Sequence, residues 1–366
     1  MKDPKVLALR RRIETVGDAA LTDPLRRWRC AGFTMREAGV IRSTHLALPL
    51  SAAIVFGFAT IPARAADRFP SKPIRLIVPS GAGGNTDVFA RVVAEKLKVP
   101  LGQTVIVDNR PGASGIVGSD IVANAAPDGH TLLMAFPSHP VNPSLYSNMP
   151  YDTPKDFAPI TMVTSVTAVL VVNSKLPVNS VKELIAQGLQ KPGQFAHGVT
   201  GRGSLGYLCA EMFAALTGVR LLEVAYKGAP QSMVALISGE VQVLFLPPVV
   251  TLPQTKAGRI RALGVSSKNR LAIMPDVPTI AEAGVPGYEV TGWNGILAPA
   301  KTPRAIIDRL NREIVKVLRS PDVEADIAAQ GIEAIGNTPE EFGRIVEADI
   351  RKWAKLIKGS RTAVDK

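Results

Sequence analysis

The sequence predicts an α/β protein with a mainly parallel sheet, and three observations carry that prediction. Strand-like and helix-like segments alternate along most of the chain. The turns between them are built of glycine, hydroxyl and amide residues. The length of 366 residues, 46% of them hydrophobic, suffices for a full core and two domains. Repeated strand–turn–helix units put helices on both faces of a sheet, and ligands then bind where loops leave the carboxyl ends of strands.

Ile74 to Leu97 is the clearest unit. Ile74, Leu76, Ile77 and Val78 form an apolar run that ends in Pro79-Ser80-Gly81-Ala82-Gly83-Gly84, and Val88, Phe89, Val92, Val93 and Leu97 then recur at helical spacing. Thr104–Val107 predicts a short strand, Asn109 to Ala113 a turn, and Gly115–Ala126 a helix stopped by Pro127-Asp128-Gly129. Thr131–Ala135 is strand-like and is followed by the loop Phe136-Pro137-Ser138-His139-Pro140. Ala168–Val172 is a continuous apolar strand, and Val181–Leu189 a helix with Asn179-Ser180 at its N-cap.

The second half repeats the grammar. Phe195–Val199 runs through Thr200-Gly201-Arg202-Gly203-Ser204 into a helix over Tyr207–Leu216. Glu223–Tyr226 leads through Lys227-Gly228-Ala229-Pro230 into a helix over Gln231–Ser238. Val241–Leu246 and Ile260–Val265 are short strands, and helices over Arg304–Leu318, Val323–Gln330 and Pro339–Ile357 close the chain.

Residues 1–65 differ from the rest. Leu46 to Ala63 is a mostly apolar run without a charge, preceded by Arg36 and Arg42, and Ala63-Arg64-Ala65 forms a small-residue cleavage site before Ala66. Pro49, Gly57 and Pro62 interrupt the run, so a cleavable signal peptide is expected rather than a membrane span, with Met35 as the better start. Setting aside the 11 Lys/Arg and 5 Asp/Glu of this segment lowers the net charge from +12 to +6. That mild bias suits an anionic small molecule and lacks the clustered basic tract of a nucleic-acid binder. Cys209 becomes the single cysteine, so no internal disulfide is expected and the core must be self-sufficient.

Three loops share one chemistry: Gly81–Asp87, Thr200–Ser204 and Tyr226–Pro230 each follow a strand and precede a helix. Unpaired amides at a helix N-terminus favour carboxylate or phosphate by roughly 0.3–1 kcal/mol. The first loop matches neither dinucleotide fingerprint nor P-loop, because Thr86 stands at the last glycine position and no lysine follows. His130, His139 and His197 lie in separate segments without metal-ligand spacing, so no metal and no cofactor is expected. Ser204 nearly spells a nucleophile elbow, but Arg202 occupies the first glycine position.

The chain resembles the Bug-type periplasmic solute-binding receptors, the extracytoplasmic component of tripartite tricarboxylate transporters. The likeness covers residues 69–358 and rests on FPSKPIRLIVPSGAGGNTDVFAR, DNRPGASGIVGSDIVANAAPDGHTLL, NPSLYSNMPYDTPKDFAPIT, YKGAPQSMVALISGEV, AGRIRALGV and PDVPTIAEAGVPGYEVTGWNGILAPAKTPRAIIDRLNREI. It implies a two-lobed, Venus flytrap fold with a mainly parallel sheet in each lobe and a two-strand hinge. Lobe 1 would comprise Ala66–Thr167 and Trp293–Lys366, lobe 2 Ala168–Gly292, with crossings near Val169–Asn173 and Val290–Ile296. Such receptors bind small carboxylates through backbone amides and hydroxyls and serve membrane permease subunits or a sensor protein.

The resemblance further implies that Gly83, Gly84, Asn85, Thr86 and Asp87 form the first-lobe loop that holds one carboxylate, with Ser138 and His139 on a second loop at the cleft. Thr200, Gly203 and Ser204 would belong to the second-lobe loop that closes on the ligand, and Tyr226, Lys227 and Gly228 to a further cleft-lining turn. Arg202 is unusual between two cleft glycines; pointing inward it would clamp a second carboxylate, pointing outward it would be a solvated rim residue. Leu246-Pro247-Pro248 stands where an acidic residue would meet an amino group, which disfavours an amino-acid ligand. The expected function is therefore a periplasmic receptor without enzymatic activity. The alternatives are an exported hydrolase using Ser204 and a nucleotide-binding module using Gly81–Asp87.

Overall fold

The computed structural model describes residues 69–359, so the signal-peptide and start-site expectations for residues 1–65 lie outside the described residues. Strand β1 (Ile74–Val78) pairs in parallel with β2 (Val105–Asn109) and β3 (Thr131–Ala135). Its side chains alternate between two apolar clusters: Ile74, Leu76 and Val78 enter one, and Ile77 the other. Burial on both faces is why this strand is a continuous apolar run rather than an alternating one.

Helix α1 (Asn85–Leu101) covers one of those faces. Phe89, Val93, Leu97 and Leu101 form its buried stripe at four-residue spacing, whereas Val88 is exposed. Gly102 ends the helix in the left-handed conformation with φ 67°. The opposite face is covered by α2 (Ile116–Ala123), shorter at both ends than the apolar pattern suggests.

Short helix α3 (Asn142–Leu145) leads into β4 (Phe157–Thr167). The chain then leaves the first sheet and enters a second one at β5 (Val169–Asn173). Here α4 (Val181–Gln190), β6 (Ala196–Val199), α5 (Leu205–Thr217), β7 (Leu222–Ala225), α6 (Ala229–Ser238), β8 (Val243–Leu246), α7 (Pro248–Lys256) and β9 (Ile260–Val265) follow in order. Ser180 accepts the Glu183 amide at 3.2 Å, the N-cap expected for α4. Strand β10 (Thr291–Pro299) returns to the first sheet, followed by α8 (Arg304–Leu318), α9 (Pro321–Ala328), β11 (Glu333–Ala334) and α10 (Pro339–Gly359).

The sheets have the orders β11-β4-β10-β3-β1-β2 and β7-β6-β8-β5-β9. Each is mixed rather than mainly parallel: the strand–turn–helix units supply the parallel pairs, and the crossing strands β4, β10 and β5 add antiparallel ones. Leu170 and Val172 of β5 face one apolar cluster, Val169 and Val171 the other, so the second lobe is also three-layered.

Two chain crossings connect the sheets, at Ala168 and Val290, and Ser266 joins them. Its hydroxyl accepts the Ala168 amide at 2.9 Å and donates to the Val290 carbonyl at 2.7 Å. Its own amide and carbonyl pair with Ala168 and Val290 as well. The closing helix departs from the expected assignment of the whole C-terminal segment to lobe 1. Phe342 and Val346 of α10 pack in the first lobe, whereas Trp353 and Ile357 pack in the second-lobe core. One helical face of 21 residues, roughly 30 Å long at 1.5 Å per residue, reaches both. Among the described residues no helix is long and apolar enough to cross a membrane.

Candidate functional site

The loops that leave β1, β3, β6 and β7 determine the site. The β1–α1 turn closes through Gly83, whose φ of 81° lies in the left-handed region. Gly84 is the N-cap of α1 and no side chain caps the helix, so the first-turn amides of Asn85, Thr86 and Asp87 have no acceptor inside it.

Asp87 shapes this turn from behind. Buried to 2% exposure, its carboxylate accepts the Gly83 amide at 2.8 Å, Arg91 Nε at 3.0 Å and Asn109 Nδ2 at 2.9 Å. Burial pushes its carboxyl upward, but the bonds from Arg91, Gly83 and Asn109 outweigh that and hold it below the usual carboxylate range. A depressed folded value means stability that is present above the unfolded pKa of about 3.8 and lost as pH falls through the folded value. Asp87→Asn is therefore expected to lose about 2 kcal/mol at pH 7. The gap to the unsubstituted protein should hold down to about pH 3.8 and narrow only below it; urea unfolding at neutral and acid pH measures both.

Thr86 donates from Oγ1 to Asn294 Oδ1 at 2.9 Å, and Asn294 Nδ2 donates to Thr164 Oγ1 at 3.0 Å. This buried chain ties the turn to β10 and β4, the strands that lead to the crossings. Ser138 is buried and donates to the Ser114 carbonyl at 2.8 Å. The structure does not bring the His139 side chain to the loops. Its ring lies in the lobe 1 interior, edge-on to Phe157 and stacked on Tyr151, with Nδ1 facing Ser119 Oγ at 3.4 Å.

In the second lobe, Thr200 is exposed, and Gly201 and Gly203 adopt positive φ (136° and 79°). Ser204 is the N-cap of α5 and accepts the Tyr207 amide at 3.4 Å, leaving its own proton available. No described histidine is bonded to Ser204: His130 Nε2 accepts the Ser71 amide, His139 meets Ser119, and His197 Nδ1 faces the Val243 carbonyl inside the core. The general base a serine nucleophile needs is thus not beside it.

The Arg202 side chain is exposed, and its charge acts on Glu223 of β7. Burial and Glu211 push the Glu223 carboxyl up, against the pull of Arg202. Tyr226 turns its hydroxyl away to donate to Glu240 at 2.7 Å, with its ring beside Gly198. Lys227 is exposed, and Gly228 is the N-cap of α6, again without a side-chain cap.

The lobes meet at these loops. Ser114 Oγ lies 3.2 Å from the Arg202 carbonyl and 2.9 Å from Tyr146 Oη. A Cβ on Gly203 would stand 3.1 Å from Ser138 Cβ, and one on Gly292 of β10 would stand 3.4 Å from Leu205 Cδ1 at the start of α5. Ser114 is the residue that sequence reasoning missed. It sits in the Gly112–Gly115 turn, where Ala113 and Ser114 hold left-handed φ values of 45° and 52° although neither is glycine. Its carbonyl also accepts Asn142 Nδ2 at 3.0 Å. The Pro111-Gly112-Ala113-Ser114-Gly115 composition after a strand is the signal that could have found it.

Trp293 is core rather than cleft: it is edge-on to Phe342 and donates to Asp349 Oδ2 at 2.7 Å. Cys209 is buried in the second-lobe cluster, with its thiol pushed up to about 12 by burial. Among the described residues no group of three metal-ligating side chains occurs.

The model of the tripartite tricarboxylate transporter family receptor matches residues 89–361. Protein BugT of Bordetella pertussis is 39% identical over 295 residues, covering 80% of this chain and 90% of the relative. The structure of Rhodopseudomonas palustris Rpa4515 with adipate superposes with a TM-score of 0.73 at 37% identity, covering 81% of this chain and 98% of that one. MatC of the same organism, with bound malate, gives 0.72 at 28% identity, covering 79% and 100%. The matched family is one of transporter receptors, and the two neighbouring structures hold carboxylates, adipate and malate.

Proposed function

The chain belongs to the receptor family of tripartite tricarboxylate transporters, and from that premise we propose that it captures a small organic carboxylate between its lobes. We place it in the periplasm, exported through the N-terminal leader, where it delivers the carboxylate to membrane permease subunits or reports it to a sensor. The observation that carries this reading is the meeting of two kinds of loop. In lobe 1 the Gly112–Gly115 loop packs on Pro79, at the head of the turn that opens the uncapped helix α1, and lobe 2 touches that loop and Ser138 through Arg202 and Gly203.

The amides at Gly84, Asn85 and Thr86 would hold one carboxylate, and the Thr200 and Ser204 hydroxyls would donate to it or to a second carboxylate from the other lobe. Gly203 allows that approach, and Gly228 and Lys227 add an uncapped helix start and a cation at the rim. Asp87 acts through the Gly83 amide, Ser138 through Ser114, and His139 from behind the loop. Arg202 contributes its carbonyl to the lobe contact and its charge to the outer rim. Closure would pivot on Ala168 and Val290, and ligand contacts from both lobes would favour the closed state.

A thermal-shift panel of mono-, di- and tricarboxylates, amino acids and nucleotides tests the proposal. At about 100 times its dissociation constant, a ligand of the native state adds about 2.7 kcal/mol. A shift confined to a carboxylate class is expected; shifts with nucleotides alone, or ester turnover lost in Ser204→Ala, would contradict it.

A further inference from the structure

A cavity of about 340 Å³ lies within lobe 1, away from the cleft loops, between β4, the segment after α3, and helices α8 and α10. Phe157, Leu297, Ile307 and Val346 give it apolar walls. Three further lining residues, His139, Thr153 and Thr302, are 2%, 3% and 7% exposed. Each carries one buried atom without a hydrogen-bond partner: His139 Nε2, Thr153 Oγ1 and Thr302 Oγ1. Buried polar atoms are rarely left unpaired, so three on residues that line one hollow mark a place for a guest with a polar head.

The same residues limit what that guest is. Burial lowers the His139 imidazole to about 3, so it is neutral and offers no countercharge. At the mouth, Arg304 is already paired with Asp308 and Glu340, and Glu347 adds another carboxylate. An anion is disfavoured, whereas a hydroxyl group both donates and accepts and so suits an imidazole nitrogen beside two threonine hydroxyls in either tautomer. We propose that this cavity is a second binding site, for a small uncharged phenol or cyclic alcohol whose ring meets the apolar walls and whose hydroxyl meets His139, Thr153 and Thr302. It is separate from the carboxylate cleft and does not rest on that reading, although Ser138 and His139 make the two neighbours along the chain.

Fluorine NMR titration of the protein with 3-fluorophenol tests this. Saturable one-to-one binding near about 1 mM is expected, as suits so small a ligand. Gly343→Leu should abolish it; Gly343 lines the cavity, and a Cβ there meets only Pro159 Cγ at an ordinary 3.6 Å, so the helix keeps its place. Thr302→Val, nearly isosteric, should weaken binding about fivefold or more by removing one hydroxyl partner. Adipate and malate should not displace the probe. No saturation by about 10 mM, which leaves the cavity to water, would overturn the proposal. So would binding unaffected by both substitutions, or displacement by adipate or malate.

Discussion

Gly203→Val is expected to weaken carboxylate binding about 100-fold, equivalent to about 2.7 kcal/mol. The first added carbon already stands 3.1 Å from Ser138 Cβ and 3.4 Å from Leu145 Cδ1, and two further methyls enter the same lobe contact. Ser138 belongs to the other lobe, so that clash opposes the lobe contact, whereas Leu145 packs in the second-lobe core, so the clash with it costs stability as well. Valine also resists the φ of 79° at this position, which costs stability independently of any ligand. Gly193 separates the two effects. It shares that φ of 79°, but an added Cβ there meets nothing within 4 Å. Gly193→Val should lose the stability that this φ carries yet retain affinity, as calorimetric titration of both variants would measure. Equal affinity losses in the two would contradict the closure account.

Ser266→Ala is expected to cost about 3 kcal/mol of stability, because a single hydroxyl serves both crossings. Its removal leaves the Ala168 amide and the Val290 carbonyl each without one buried partner. Urea unfolding measures the loss. A change below about 1 kcal/mol would mean that the crossings are held by the backbone pairs of Ser266 alone. Thr86 reaches the strands that lead to these crossings through Asn294 and Thr164, in a separate chain of hydrogen bonds.

The β1–α1 unit was legible because local and tertiary demands agree there. Both faces of β1 are buried, α1 buries one stripe, and the turn between them uses left-handed glycine. Strand β4 was not legible: Pro159, Thr161, Thr164 and Thr167 give it the composition of a loop. Two of its threonines find their main partners far along the chain, Asn337 for Thr161 and Asn294 for Thr164. Helix α7 was hidden in the same way by Pro248 and Pro253.

The site divides along similar lines. Loops with glycine and hydroxyl residues before a helix announce themselves, so the Gly83–Asp87 and Thr200–Ser204 turns were found. What a side chain does within them was less visible, because Asp87, His139 and Tyr226 are engaged by residues such as Asn109, Tyr151 and Glu240. Ser114 and Ser266 escaped for a related reason. Each is a common residue whose importance comes from backbone groups brought to it by the fold.

Calorimetric titration of the protein with a dicarboxylate, beside its diamide, tests the central claim most directly. Adipate and malate, the acids in the neighbouring structures, are the first to try. The account predicts that a dicarboxylate binds once per chain at micromolar or lower concentration, about −8 kcal/mol or better, without conversion. The diamide should bind far more weakly, since it lacks the charge that helix N-termini favour. Equal binding of acid and diamide, or of neither across the carboxylate panel, would contradict it.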